Sequence, residues 1–142
     1  IIGFGEAVRI LSTNALNDAK RVQELKTYLA KRLMDEIENI KINTSLDNTS
    51  SPYIISVTFR HTRGEVLLHY LEEKEIYVST SSACSSKGTA KSHVLKSINL
   101  TDKEIEGTIR ICFSYEITKE DIDFTVDNIK SAVEEIRSII RG

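Results

Sequence analysis

Two stretches near opposite ends of the chain repeat apolar residues every three or four positions. The first covers 17–40, and the second follows a capping sequence at 118–121 (TKED) and runs to Ile140. Charged residues fall between the apolar ones, a spacing that places apolar side chains along one side of an α-helix. We therefore predict two long amphipathic helices. Residues 1–11 are expected to form an earlier helical piece that is interrupted by the polar residues 12–14 (STN).

Between these helices, several short segments are typical of β-strands. The segments 40–43, 53–59, 76–79 and 107–114 are rich in β-branched and aromatic residues or alternate between polar and apolar positions. In the last segment, Ile109, Ile111 and Phe113 are expected on one face of the strand. The opposite face would carry the other set: Thr108, Arg110, Cys112 and Ser114.

Shorter helices are predicted between the strands. One covers 66–71, behind a capping box at 62–65 (TRGE), and a weak one covers 92–97. A further cap is indicated at Thr101, with Glu104 three residues later. Three or four short strands with four or five helices predict a two-layer α+β domain, a small sheet covered by helices. The pattern does not predict the order of the strands.

Length, composition and charge indicate one ordinary globular domain over 1–142. The 142 residues are 40% hydrophobic and 28% charged, values that exclude disorder. Lysine and arginine number 19 against 21 acidic residues, a net charge of −2, so the basic surface of a nucleic-acid or anionic-membrane protein is missing. No apolar run approaches the roughly 20 residues that span a bilayer. We expect a soluble, cytoplasmic protein.

The chain has two cysteines and three histidines, without the spacing of a zinc site or a disulfide framework. We therefore assign no metal site and expect a reducing compartment. The first residues, 1–5 (IIGFG), lack an initiator methionine and are already apolar. We expect the chain to be part of a longer protein.

The loop at 79–89 is the most informative segment. Its residues are almost all small or polar, and Cys84 is the one soft nucleophile among them. We expect an exposed thiol, with Lys87 three residues away favouring the thiolate. From composition alone, a surface loop that contains a cysteine by chance is equally favoured.

Arg110 lies between two isoleucines in a predicted strand. A cation in that position needs an anion or an open cleft. One interpretation is a clamp for a substrate carboxylate, because the guanidinium fork matches that group. The other, slightly favoured by the residues alone, is a structural ion pair with an acidic side chain. For Cys112, in the same strand, we expect a buried or half-buried structural thiol.

Several segments together resemble one known family. Residues 76–86 (IYVSTSSACSS) resemble the active-site cysteine loop of cysteine desulfurases, in the class V aminotransferase group, where it reads G-I-x-V-S-S-G-S-A-C-T-S. Residues 109–114 (IRICFS) and 118–123 (TKEDID) are similar to the block I-R-x-S-[LF]-G…T-x-E-[ED]-I-D of that family. Residues 56–59 (SVTF) and 64–68 (GEVLL) resemble its S-x-x-F…G-E-x-L-L. The matches follow the family's order along essentially the whole chain.

This resemblance implies the small C-terminal domain of a fold-type I pyridoxal-phosphate enzyme, with a short, mostly antiparallel sheet. In the family, the cofactor activates L-cysteine, a loop thiolate takes the sulfur and alanine leaves. By position, Cys84 would carry the persulfide and Arg110 would bind the substrate carboxylate. The lysine that holds the cofactor lies in the family's large domain, which no segment here matches. The resemblance therefore implies no cofactor-binding residue in this chain, and the chain alone is expected to be inactive.

The resemblance also implies partners: L-cysteine as substrate, a sulfur acceptor or iron–sulfur scaffold protein, and a second copy of the parent in a homodimer. Two alternatives stay open. A selenocysteine lyase or another class V enzyme would depend less on Cys84. A stand-alone persulfide carrier or scaffold-binding module would have no catalysis of its own.

Overall fold

A computed structural model describes residues 2–80 and 92–141, without the side chains of residues 13, 14, 16 and 141. The described part contains five helices and four strands, which agrees with the predicted α+β class. In chain order they are α1 (Ile2–Glu36), β1 (Ile40–Ile42), β2 (Ile54–Phe59), α2 (Gly64–Glu72), β3 (Ser79–Thr80), α3 (His93–Ser97), α4 (Asp102–Glu106), β4 (Thr108–Cys112) and α5 (Lys119–Arg141). No helix in these two ranges is long and apolar enough to cross a membrane.

The four strands form one sheet in the order β1-β2-β4-β3, and every neighbouring pair is antiparallel. Val57 of β2 lies opposite Ile109 of β4, and Thr80 of β3 lies opposite the same Ile109. The last strand in the sequence is therefore inserted between the second and the third. As a result, β3, which precedes residues 81–91, is an edge strand paired with β4.

One face of the sheet, the covered face, packs against the long helices. The alternation predicted for β4 is confirmed here, because Ile109, Ile111 and Phe113 are all buried. They form one cluster with buried residues of the neighbouring strand and helices: Ile55, Val57, Leu29, Leu33, Leu67, Val126, Ile129 and Val133. This cluster is the core of the domain and holds the sheet in place.

The two long helices depart from their predicted bounds in informative ways. α1 continues through residues 12–14 without a break, because no proline or glycine there interrupts its backbone. It ends at Glu36, and Asn39, with a φ of 56°, turns the chain into β1. At the start of α5 the predicted cap is confirmed: the Asp121 amide donates to Thr118 Oγ1 (3.2 Å), and the Thr118 amide donates to Asp121 Oδ2 (2.9 Å). Ile140 is exposed and does not join the core.

Two of the predicted local features are wrong in detail. Helix α2 is present, but its N-cap is Arg63 and no side chain caps it, so the capping box predicted at 62–65 does not form. The strand predicted at 76–79 contributes only Ser79 to the ladder, together with Thr80. The Ile76 amide instead donates to the Leu71 carbonyl (3.0 Å) at the end of α2, which takes the start of the segment away from the sheet. The cap at Thr101 is confirmed as a full capping box with Glu104.

Candidate functional site on the open face of the sheet

The other face of the sheet is polar, and we call it the open face. Because side chains alternate along each strand, it carries the residues that lie between the buried ones: Lys41, Ser56, Thr58, Ser79, Thr108, Arg110 and Cys112, with the exposed Ile54 opposite Cys112. Arg110 and Cys112 are exposed, and Ser56 and Ser79 are half-buried. This face could therefore admit a ligand, whereas the covered face could not.

Arg110 occupies the middle of the open face. It lies opposite Ser56 on β2 and opposite Ser79 on β3, so both of its neighbours across the ladder carry small hydroxyl side chains. Within the described ranges, its guanidinium has no ion pair and no hydrogen bond. The structural ion pair that the sequence left open is not formed there, and the guanidinium remains available to an anion.

The backbone around Arg110 is fixed by a hydroxyl network at one end of the open face. The Thr58 and Thr108 hydroxyls are 2.7 Å apart, and Thr108 Oγ1 donates to the Glu104 carbonyl at 2.6 Å. Asn43 Nδ2 donates to Thr58 Oγ1 at 2.9 Å. These contacts pair the two threonine hydroxyls without using the Arg110 guanidinium, although Asn43 Oδ1 is buried without a partner among the described residues. Sequence reasoning missed this network, although the alternating polar positions of β2 contained the signal for it.

Cys84 and Lys87 lie outside the described residues. What the structure does show is the start of the segment that contains them: β3 ends at Thr80, four residues before Cys84. The residue before Thr80 is Ser79, which pairs directly with Arg110. The strand that pairs with Arg110 therefore leads, in the sequence, into the segment that contains Cys84.

Cys112 differs from its prediction. It is exposed on the open face, two residues from Arg110, and is not the buried or half-buried thiol expected from its isoleucine and phenylalanine neighbours. Alternation in β4 correctly placed it on the same face as Arg110. The sequence did not show that this face is uncovered at Cys112, and this is why the expected burial is wrong.

Comparison with known proteins establishes the family. The chain belongs to the class V aminotransferase family, whose model matches residues 1–124. The predicted resemblance to this group and the predicted fold class are both confirmed.

The relatives are more specific than the family. Over 98% of its length the chain is 37% identical to "Cysteine desulfurase IscS" of Proteus mirabilis and 32% identical to the protein of the same name from Dictyoglomus turgidum. A solved structure titled "NIFS-LIKE PROTEIN" superposes with a TM-score of 0.77 and 28% identity over 91% of this chain. The chain spans only about a third of each of these proteins, namely 33%, 35% and 32%.

Lys26 is the buried lysine of the described residues, and it does not fit a pyridoxal phosphate site. Such a site needs a reachable lysine amine. Burial lowers the pKa of Lys26, but its Nζ already donates to Ser50 Oγ (2.7 Å) and the Ser51 carbonyl (2.9 Å). It belongs to α1, which lies on the covered side of the sheet. We therefore do not assign Lys26 to the cofactor.

Proposed function

We propose that this chain is the substrate-clamping and sulfur-accepting part of a cysteine desulfurase. The observation that carries the proposal is the pairing of Arg110 with Ser79. Ser79 lies five residues before Cys84 in the sequence. This pair therefore places the Arg110 guanidinium, which has no partner among the described residues, beside the strand that leads to Cys84. The names of the relatives, which this chain resembles over nearly its whole length, support the same activity.

In the proposed site, Arg110 binds the carboxylate of L-cysteine. Its exposed guanidinium can offer two parallel N–H donors to the two oxygens of that group. Because β4 is an inner strand held by ladders on both sides, the clamp does not move with an edge of the sheet. A carboxylate fixed there positions the rest of the amino acid for reaction.

The proposed role of Cys84 is to take the sulfur as a thiolate. A bond forms between Cys84 Sγ and the substrate sulfur while the substrate Cβ–S bond breaks. The electron pair of the broken bond stays with the substrate, whose Cβ takes a proton, and L-alanine leaves. Both sulfurs are oxidised by one electron each and the carbon is reduced by two, so no external oxidant is needed. Pyridoxal phosphate, held by the rest of the enzyme, supplies the electron sink that makes the Cβ–S bond labile.

The proposal includes the partners of the whole enzyme. The persulfide on Cys84 is passed to a sulfur acceptor, such as an iron–sulfur scaffold protein, and the parent is a cytoplasmic homodimer. Two observations support a reducing compartment: the chain has only two cysteines, and Cys112 is a free, exposed thiol.

The test is sulfide release from L-cysteine by the full-length protein that contains this chain, with pyridoxal phosphate and a reductant present. We expect Cys84→Ala to abolish release and Cys112→Ala, the matched loss of a thiol, to leave it unchanged. Release that survives Cys84→Ala would instead indicate a lyase that does not need the loop thiol. If neither the wild type nor the variants release sulfide, the protein is a persulfide carrier without catalysis.

A further inference from the structure

A second concave site lies away from the open face. It is a cleft of about 480 Å³ between the turn that joins β2 to α2, the region of α4, and the last turn of α5. The turn contributes residues 60–63, α4 and its cap contribute Thr101, Lys103, Glu104 and Glu106, and α5 contributes Ile140. None of these residues belongs to the open face, so the cleft is not part of the proposed desulfurase site.

The lining is more positive than the chain as a whole. It contains three cations, Arg60, Arg63 and Lys103, against the carboxylates of Glu104 and Glu106, in a chain whose net charge is −2. Concave surfaces in which one sign of charge is in excess attract ligands of the opposite sign. The excess of cations therefore favours an anion.

One of the two acidic residues of the lining is already neutralised. Glu104 accepts hydrogen bonds from the Thr101 amide (3.0 Å) and hydroxyl (2.9 Å), and it pairs with Arg60 at 3.0 Å. These partners lower the pKa of Glu104 to about 2, so its carboxylate stays ionised and bound to Thr101 and Arg60. Within the described ranges, Arg63 and Lys103 have no ion pair, with Glu106 or with any other carboxylate. Two cations thus face the cleft with no counter-ion among the described residues.

A buried hydroxyl on the same wall also lacks a partner. Thr62 is only 6% exposed, and its Oγ1 is buried without a hydrogen bond among the described residues. Buried polar atoms in native proteins are nearly always paired. The Thr62 hydroxyl is therefore an unpaired polar atom buried behind the cleft wall.

The turn that carries these groups is held rigidly. Arg137 donates two hydrogen bonds to the Arg60 carbonyl, at 2.8 and 3.1 Å. On its other side the turn presses against Gly107, where an added Cβ would lie 2.9 Å from the Thr62 carbonyl oxygen. His61 has a φ of 59°, a left-handed conformation that persists only where the surroundings impose it. The cleft is therefore preformed and is not a gap that the turn could close.

We propose that this cleft binds a small ligand with an oxyanion group, a carboxylate or a phosphate, held by Arg63 and Lys103. Ile140, exposed at the rim, offers an apolar contact to the remainder of the ligand. Oxyanions are matched by guanidinium and ammonium donors.

The experiment is calorimetric titration of the full-length protein with inorganic phosphate and, separately, with butyrate, both at constant ionic strength. We expect saturable binding of at least one probe, which also shows whether the preferred oxyanion is a phosphate or a carboxylate. In the double variant Arg63→Gln/Lys103→Gln, affinity should fall by about tenfold or more, because charge-assisted hydrogen bonds are lost. The matched variant Lys20→Gln/Lys74→Gln removes the same charge from exposed lysines outside the cleft and should bind as the wild type does.

Saturable binding of neither probe would overturn the proposal, and so would equal losses in the two double variants. Because the readout is binding and not sulfide release, the result does not depend on whether the desulfurase proposal holds.

Discussion

Along β4, side chains alternate between the covered face and the open face, and the two sets differ in burial, bonding and chemistry. Ile109 and Ile111 are 0% and 6% exposed and lie in the core, whereas Arg110 and Cys112, which alternate with them, are exposed. The side chains of the first pair join the apolar core, whereas the second pair consists of a cation with no partner among the described residues and a free thiol. One strand thus supplies both the packing that holds the sheet and the reactive groups.

The difference between the faces shows how a side chain such as Arg110 can be exposed while its strand is held in place. Arg110 has no side-chain partner among the described residues, yet its backbone is bonded to β2 on one side and β3 on the other. The isoleucines on either side of it fasten the same strand to the core. A functional side chain on such a supported element is positioned more accurately than one on a loop. Stability should therefore depend on the covered face and activity on the open face.

The largest expected effect is on the open face. In the full-length protein, Arg110→Ala should raise the KM for L-cysteine and also lower kcat, because the carboxylate is neither bound nor oriented. Losing a charge-assisted bidentate contact predicts a fall in kcat/KM of roughly 100- to 1,000-fold. Arg110→Lys keeps the charge without the fork and should recover only part of the loss. Steady-state kinetics of the three proteins test this, and unchanged constants for Arg110→Ala would contradict the carboxylate role.

The next effect is on the covered face of the same strand. Ile109→Ala deletes apolar atoms from a fully buried site and should lower the free energy of unfolding by about 2–5 kcal/mol. Urea denaturation measures this loss. In contrast to Arg110→Ala, Ile109→Ala should leave the KM for L-cysteine near the wild-type value in the folded fraction. A large rise in KM with intact stability would show that the two faces are not separable.

Much of the covered face could be predicted from the sequence, because alternation and helical spacing are local and the core follows both. Ile109, Ile111 and Phe113 are buried as predicted, and the cap at Thr118 starts α5. Arg110 could be singled out from its two isoleucine neighbours alone. That no described residue pairs with its guanidinium could not be predicted, since this depends on which residues of β2 and β3 lie beside it.

What could not be predicted comes from contacts distant in sequence. The insertion of β4 between β2 and β3 depends on which strands pair. Cys112 is exposed because no other element of the described fold covers the open face there. Thr62 precedes a helix with a glutamate three residues later, a sound local cap. However, the structure packs its carbonyl against Gly107 and buries its side chain. Tertiary packing overrides the local preference there, as it does where the Ile76 amide bonds to α2.

A smaller effect on stability should follow from a change of pH. It concerns Glu104, whose backbone carbonyl accepts a hydrogen bond from Thr108 of β4. The pKa of Glu104 is held at about 2 by Thr101 and Arg60. Since its folded pKa lies below its unfolded value near 4.5, Glu104 stabilises the fold above that value. This stabilisation is lost as the pH falls towards 2. Unfolding measured between pH 6 and 2 should show Glu104→Gln less stable than wild type at pH 6, with the difference shrinking below pH 4.5. A constant difference across this range would mean that the carboxylate charge has no part in the cap.

The smallest expected effect on stability is at Cys112, the neighbour of Arg110 on the open face. Because its side chain is exposed, Cys112→Ser should change the free energy of unfolding by no more than about 0.5 kcal/mol, far less than Ile109→Ala. In a Cys84→Ser background, the Cys112 thiol should also react with iodoacetamide without denaturant, since exposure and not unfolding limits its access. In the wild-type protein, Cys84 is expected to react faster still. A Cys112 thiol that reacts only on unfolding would show that the open face is covered in the full-length protein, in which case Arg110 could meet its substrate only inside an interface.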